Sequence, residues 1–472
     1  MASGGRTSGA GRATVEERAA RGKAERARVP LARHAELDLA PDRDSVALLA
    51  SQAALRVPEL VPIRYGRMLV SPFAFLRGAA LPMAADLAGT PTTTLEVQLC
   101  GDAHLSNFGL YASPDRRLVF DLNDFDETHP GPFEWDVKRL AASVEVASRV
   151  NGYRRKERRA AVLAVGTAYR EHLRRLAKRR NLDVWYERIE YDDIVAQART
   201  EVGLAAFQRL EQGATRAMSR DSIHSLRKLT TEVDGRREFV SDPPLLTALR
   251  DLMPPAEHGQ HLDWLRGLLR KYRSSLQYDR RILLEQFDVV DVARKVVGVG
   301  SVGTRVWVLL LLGRDGDDPL FLQAKEAQQS VLAPYVPRTA TFANEGVRVV
   351  AGQHVMQAAS DIFLGSLRTP GVDGVARDFY VRQLRDWKLS GNPTIMEPDT
   401  MLTYAKICAT ALARAHARSG DRVALGAYLG SSTTFDTAVA EFASAYADVT
   451  EQDHAALAAA VGRGEIEAVT GL

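Results

Sequence analysis

Cys100-Gly101-Asp102-Ala103-His104-Leu105-Ser106-Asn107, followed by Leu118-Val119-Phe120-Asp121-Leu122-Asn123-Asp124-Phe125-Asp126, decides how this chain is read. Residues 95–100 alternate as a strand does, which makes the segment from Asp102 to Asn107 a loop at the strand's end. Residues 108–112, a Ser-Pro-Asp-Arg-Arg turn and residues 118–122 read as a β-hairpin that delivers more carboxylates at its far end. An Asp and an Asn five residues apart, with a later Asp closing a strand, is the order that phosphoryl transfer uses. The first Asp orients an acceptor hydroxyl, while the Asn and the later Asp hold Mg²⁺ against nucleotide phosphates.

One Asp or Asn in a tight turn needs no function, because both residues tolerate left-handed backbone and cap amides. Asp102, His104, Asn107, Asp121, Asp124, Asp126 and Glu127 around one hairpin are a different matter: they form an oxygen-rich cluster suited to Mg²⁺. Strand alternation places Asp121 and Asn123 opposite Phe120 and Leu122, and Asp124 opens an Asp-Phe-Asp triplet. Asp124 is the favoured metal ligand, Asp121 the alternate, and Asp126 and Glu127 secondary.

The companions of this cluster stand about two hundred residues later. Gly298-Val299-Gly300-Ser301-Val302-Gly303 lies between strand-like runs, and Leu320-Phe321-Leu322-Gln323-Ala324-Lys325 is the next strand. A dinucleotide-binding loop would need a helix after the third glycine and an acid about 20 residues on. Here the following text is strand-like and the distant residue is Lys325. A glycine-tipped hairpin with a Lys on the following strand instead covers phosphates with backbone and pairs the Lys with their oxygens. Glu345, on an expected helix over 341–358, would hold Lys325 by an ion pair, since Glu326 points to the opposite strand face. Arg64, Arg67 and Arg77 precede the cluster and would meet an anionic substrate or form structural ion pairs.

Composition bounds the rest. A chain of 472 residues exceeds one hydrophobic core. With 46% hydrophobic and 26% charged residues it has the balance of a soluble globular protein. No apolar run approaches the roughly 18 residues of a membrane span, and no secretory leader is visible. Cys100 and Cys408 cannot make a disulfide framework, which points to a reducing cytoplasm. Residues 1–28 carry seven Lys/Arg against three Glu, more than the whole net charge of +3, so the remainder is not basic. Residues 1–30 read as a disordered basic tail. A second basic stretch, 149–180, lacks the interleaved aromatics of a nucleic-acid surface and reads as a solvated helix face. The expected organisation is a helix-rich part over 31–285, a β-rich part over 286–395 and returning helices over 396–472. The segment from Asp136 to about 285 reads as helical throughout, and further strands are expected near 361–367 and 377–384. Leu412-Ala-Arg-Ala-His-Ala-Arg418 closes a helix before Ser419-Gly420-Asp421.

These residues resemble the protein kinase-like superfamily in its aminoglycoside and choline phosphotransferase branch. That branch carries His-Gly-Asp-x-x-x-x-Asn, an Asp at a strand end, Gly-Pro and Asp-Leu-Ala. This chain has Gly101-Asp102 with Asn107, Asp124-Phe125-Asp126, Gly131-Pro132 and Asp136-Val137, with Cys100 where His is usual. Residues 35–455 more closely resemble the bacterial "domain of unknown function 2252" family, through Phe75-Leu-Arg-Gly78, Gly101 to Gly109, Asn123-Asp-Phe-Asp-Glu127 and Ala413 to Asp421. The resemblance implies an α+β, protein kinase-like two-lobed fold with a helix-rich large lobe and a smaller antiparallel β-sheet lobe. Because the catalytic loop precedes the glycine loop, the fold would be circularly permuted, with the helix at 400–418 ending beside the strand at 95–100.

It also implies ATP and Mg²⁺ as cofactors. Gly298, Gly300, Ser301, Gly303 and Lys325 would hold nucleotide, Asn107 and Asp124 would hold metal, and Asp102 would be the catalytic base, with Lys325 and Glu345 in support. The partners are then a nucleotide and an acceptor with a hydroxyl group, with no membrane and no nucleic acid. A metal-dependent phosphohydrolase and a non-catalytic nucleotide-binding protein are the rival readings. Nucleotidyl transfer stays open beside phosphoryl transfer.

Overall fold

Val306, Val308 and Leu310 fall on one side of a strand and Trp307, Leu309 and Leu311 on the other, and that period sets the centre of the main sheet. The computed structural model describes residues 13–219, 222–252, 267–336, 342–371, 374–384 and 387–472. Its strands are β1 (Glu96–Leu99), β2 (Phe108–Ala112), β3 (Leu118–Leu122), β4 (His129–Pro132), β5 (Ile189–Glu190), β6 (Thr230–Val233) and β7 (Arg236–Phe239). They continue with β8 (Leu246–Ala248), β9 (Asp288–Lys295), β10 (Val306–Leu312), β11 (Pro319–Ala327), β12 (Gly365–Pro370) and β13 (Ala376–Gln383). The main sheet is antiparallel, in the order β12-β13-β11-β10-β9-β8. Val308, Leu310 and Phe321 pack on Leu226 and Phe239 at one face. Leu311, Leu320 and Leu322 pack on Tyr272 and Leu276 at the other. Lys325 lies opposite Val306 on β10 and Tyr380 on β13, so the three share the first face.

The rest is a mixed body in which helices dominate. Helices Phe133–Val150, Arg155–Leu176, Pro398–Ser419 and Thr434–Gly462 enclose one apolar core, with Leu140, Val144, Tyr169, Leu412 and Phe442 fully buried in it. The pairs β1–β4 and β2–β3 run over this core, and helix Glu345–Met356 packs between it and the sheet. Helix Pro398–Ser419 ends beside β1, where Gln98 N–H donates to Ser419 Oγ at 3.1 Å. Among the described residues no helix is long and apolar enough to cross a membrane.

The structure departs from the sequence reading in two places. Residues 15–28, expected to be disordered, form the helix Val15–Arg28, started by a Thr14/Glu17 capping box. It docks on helix Arg422–Leu429 so closely that a Cβ on Gly22 would stand 2.1 Å from Ala424 O. Arg18 pairs with Asp421 at 2.7 Å, and Arg26 donates to the carbonyls of Ala427 and Tyr428. Small residues and arginine–carbonyl bonds make this contact, so no apolar stripe announced it; residues 1–12 of the expected tail lie outside the described residues. Second, the stretch read as helical to 285 contains β6, β7 and β8, and β8 extends the main sheet beyond the expected boundary at 286. The two strands expected near 361–367 and 377–384 are present, at Gly365–Pro370 and Ala376–Gln383. In the basic stretch 149–180, Arg149 and Arg158 share Glu145, Arg170 pairs with Asp436 and Arg175 with Glu187, while Lys156 and Arg159 are exposed.

Candidate functional site

β1 ends at Leu99, and the chain turns sharply through Gly101, whose φ of 84° lies in the region glycine favours. A Cβ there would stand 2.2 Å from Glu127 O, so no other residue fits. Asp136, in the first turn of helix Phe133–Val150, accepts the amides of Cys100 at 2.6 Å and Gly101 at 3.0 Å. His416 Nε2 stands 3.2 Å from the same carboxylate, and its Nδ1 is 2.8 Å from the Tyr169 hydroxyl. One carboxylate thus ties the loop to two helices.

One turn on from Asp136, Arg139 donates from Nε (2.9 Å) and Nη2 (2.7 Å) to Oδ1 of Asp102. Among the described residues Oδ2 is left without a hydrogen bond, 3.6 Å from His104 Nε2, whose pKa burial pushes well below the ordinary histidine value. Burial raises the Asp102 pKa against the pull of Arg139. Asn107 Nδ2 donates to Asp102 O at 2.8 Å, and Asn107 O accepts the Asn123 amide at 2.8 Å. The loop therefore fixes Asn107 by its nitrogen and leaves its Oδ1 without a donor among the described residues.

Asp124 stands at the end of β3, with Oδ2 at 3.7 Å from Lys325 Nζ. Burial alone would raise its pKa, but Lys325, Arg382 and the Asp126 amide outweigh that and bring it down to about 2. Lys325, 2% exposed, donates directly to Asp126 Oδ2, and Tyr380 OH donates to Asp126 Oδ1 at 2.7 Å. The partner expected for Lys325 was Glu345, which instead binds Arg348 at 2.5 Å. Arg348 in turn donates to the carbonyls of Asp126 (2.9 Å), Thr128 (2.5 Å) and Gln328 (2.8 Å). Helix Glu345–Met356 thus grips the backbone of the acidic turn, and Asp126 supplies the counter-charge.

Asp121 has a different task. It is fully buried, bound by Arg414 at 2.5 Å and by the Ala358 amide at 2.8 Å, and it does not face the cavity. Of the two acids left open for metal, only Asp124 is available.

A cavity of about 270 Å³ lies between the acidic turns, the glycine loop and the helices over 45–78. Asp102, Asn107, Asp124 and Asp126 line one side; Gly298, Gly300 and Ser301 line another. Gly303 sits behind the loop, packed on Arg56, and does not face the cavity. Lys325 lies beneath Asp124 and Asp126 rather than on the cavity surface. Ser301 Oγ is 3.4 Å from Asp126 Oδ2, so the glycine loop touches the acidic turn. Arg56 Nη1 donates to Gly300 O at 2.7 Å, and Arg67 Nη1 to Gly298 O at 2.5 Å.

A model of a bacterial family described as "Uncharacterized protein conserved in bacteria (DUF2252)" matches residues 56–460. The chain belongs to this family. No curated protein and no solved structure matches it. The DUF2252 match covers every cavity residue named above and leaves out helix Val15–Arg28. In this DUF2252 chain, the roles of Arg139, Tyr380 and Arg348 escaped sequence reading. Arg139 had a signal, its position three residues after Asp136 on one helix face. Tyr380 and Arg348 had none, because strand pairing and helix docking bring them to the acidic turn from more than 200 residues away.

Proposed function

We propose that this protein is an ATP- and Mg²⁺-dependent phosphotransferase of kinase-like, two-lobed and circularly permuted architecture, acting on a hydroxyl-bearing acceptor. The observation that carries the proposal is that Asp124, with Lys325 3.7 Å behind it, lines one cavity together with Asp102, Asn107 and the glycine loop. These groups are separated by about two hundred residues, in the reverse of the usual order. The end of helix Pro398–Ser419 against β1 is the junction such a permutation needs.

The residues fit Mg²⁺ as a nucleotide-bound ion. Mg²⁺ takes one or two protein oxygens and fills its octahedron with phosphate and water. Asp124, ionised well below neutrality, and the Oδ1 of Asn107 would be those oxygens. The ion would neutralise charge on the transferred phosphoryl group. Gly298, Gly300 and Ser301 cover the phosphates, and Lys325 sets the charge balance of the turn that holds the metal. Asp102, pinned through Oδ1, keeps Oδ2 to orient the acceptor hydroxyl and take its proton as the acceptor oxygen bonds the γ-phosphorus and the bond to the β-phosphate oxygen breaks, releasing ADP. Orientation and fixed charges, rather than covalent catalysis, supply the rate.

The test is transfer of label from γ-labelled ATP to acceptors in a small-molecule extract. Asp102→Asn should cut transfer by about 10²- to 10⁴-fold and leave nucleotide affinity in place. Undiminished transfer in that variant contradicts the assignment. Label arriving only from the α-position makes the protein a nucleotidyltransferase instead.

A further inference from the structure

The wall of the cavity facing the acidic turns is built from arginine, and its charge is not balanced. Arg64, on helix Val61–Met68, is 1% exposed, and only its Nη2 is satisfied, by Gln52 Oε1 at 2.8 Å and Gly78 O at 2.9 Å. Its Nε and Nη1 are buried with no hydrogen-bond partner. Arg77, on helix Pro72–Gly78, makes no hydrogen bond and no ion pair among the described residues, and its Nε is buried. Arg56 spends Nη1 on carbonyls of the glycine loop and leaves Nε unmet. Among the described residues none of the three has a carboxylate within ion-pair distance, although all three line the same cavity.

This is unusual inside one molecule. Arg139 pairs with Asp102, Arg348 with Glu345 and Arg414 with Asp121. Burying a guanidinium without a counter-charge is costly, and the acids that line the opposite side of this cavity do not reach these three. Burial lowers the pKa of Arg56, Arg64 and Arg77 alike, that of Arg64 to about 9, which is the mark of cations short of an anion. His104, which lines the same cavity, is held neutral by burial and adds no repulsion.

We propose that the acceptor is itself a phosphorylated small molecule, whose existing phosphate sits against Arg64 and Arg77 while its hydroxyl faces Asp102. The inference rests on the phosphotransferase reading above and adds the substrate class. A phosphate dianion balances two guanidiniums, where a carboxylate balances one, and the planar donor forks of arginine suit its oxygens. The nucleotide has its own partners in the glycine loop, Asn107 and Asp124. Arg77 and Asp102 line the same cavity, so a phosphate held by the arginine belongs to a molecule whose hydroxyl can face Asp102.

The experiment is calorimetric titration of inorganic phosphate into the full chain saturated with Mg²⁺ and a non-hydrolysable ATP analogue. Phosphate should bind to the loaded protein as a second ligand. Arg77→Gln should weaken phosphate by about tenfold or more, the loss expected for a charged hydrogen bond, and shift analogue affinity by less than about threefold. Arg77→Lys, which keeps the charge, should recover part of the phosphate affinity. Arg77 makes no hydrogen bond or ion pair among the described residues, so the variants should melt with the wild type. Two results overturn the inference: phosphate failing to bind the loaded protein, or Arg77→Gln weakening the analogue as much as phosphate. The latter would give the arginines to the nucleotide. A wild-type protein that binds no analogue at all overturns the phosphotransferase reading itself.

Discussion

Two sets of buried and half-buried arginines in this protein are treated in opposite ways. In the helical body, Arg170 is bound to Asp436 at 2.8 Å and Arg414 to Asp121 at 2.5 Å, while Arg43 sits between Asp86 and Asp453 at 2.6 Å each. At the cavity, Arg56, Arg64 and Arg77 have no carboxylate within ion-pair distance among the described residues, and across from them Asp102 keeps Oδ2 without a hydrogen bond there, while Asp124 meets Lys325 only at 3.7 Å and the Asp126 amide at 3.3 Å. The first set closes its electrostatics within the chain. The second leaves cations on one wall and anions on the other, an arrangement completed by something bound between them: a metal for the acids, an anion for the arginines.

The contrast can be broken most sharply in the body. Asp436→Ala strands Arg170 in the core and should cost about 3–5 kcal/mol in denaturant unfolding. A loss under about 1 kcal/mol would mean that the closed pairs are not what separates the two sets. Next in size is the acidic turn. Asp126→Ala removes the hydrogen-bonded partner of both Lys325 and Tyr380 and should cost about 2–3 kcal/mol, against less than about 1 kcal/mol for Glu345→Ala at its more exposed pair. Equal effects would restore Glu345 as the anchor of the lysine.

A third prediction uses pH. Burial, aided by the charge of Lys138, lowers the pKa of His34 to about 3, with Nε2 bonded to Tyr428 OH at 2.6 Å. The unfolded chain takes up a proton near pH 6.5, which native His34 refuses until near pH 3, so its contribution to stability is present above 6.5 and lost as pH falls. The stability gap between wild type and His34→Asn should therefore narrow by about 2 kcal/mol from pH 6.5 to pH 5. A gap that stays constant would show His34 charged in the fold. The smallest effect is expected at the cavity: Arg64→Met removes an uncompensated charge along with two hydrogen bonds, and stability without ligand should move by no more than about 1 kcal/mol. A loss as large as that of Asp436→Ala would place Arg64 with the scaffold arginines.

The sequence disclosed the cavity's acidic side better than its basic side. Asp102, Asn107 and Asp124 lie within one hairpin, where turn chemistry and strand alternation can be read locally, and Lys325 followed from an apolar strand next to a glycine loop. The partner of that lysine was misassigned because helix spacing suggested Glu345, while the strand register of β11 and β13 and the fold of the turn bring Asp126 and Tyr380 instead. Arg64 and Arg77 were visible as residues, but whether they were paired or open depends on tertiary neighbours that no local pattern encodes. Helix Val15–Arg28 was read as a tail because its contact is made by Gly22 and arginines rather than by an apolar face.

Binding of ATP with and without Mg²⁺, to wild type, Asp124→Ala and Lys325→Ala, tests the central claim most directly. The account predicts Mg²⁺-dependent ATP binding that weakens by about tenfold or more in each variant, Asp124→Ala through loss of a metal ligand and Lys325→Ala through loss of the buried charge that holds the acidic turn. ATP affinity that is unchanged in both variants, or indifferent to Mg²⁺, would contradict it.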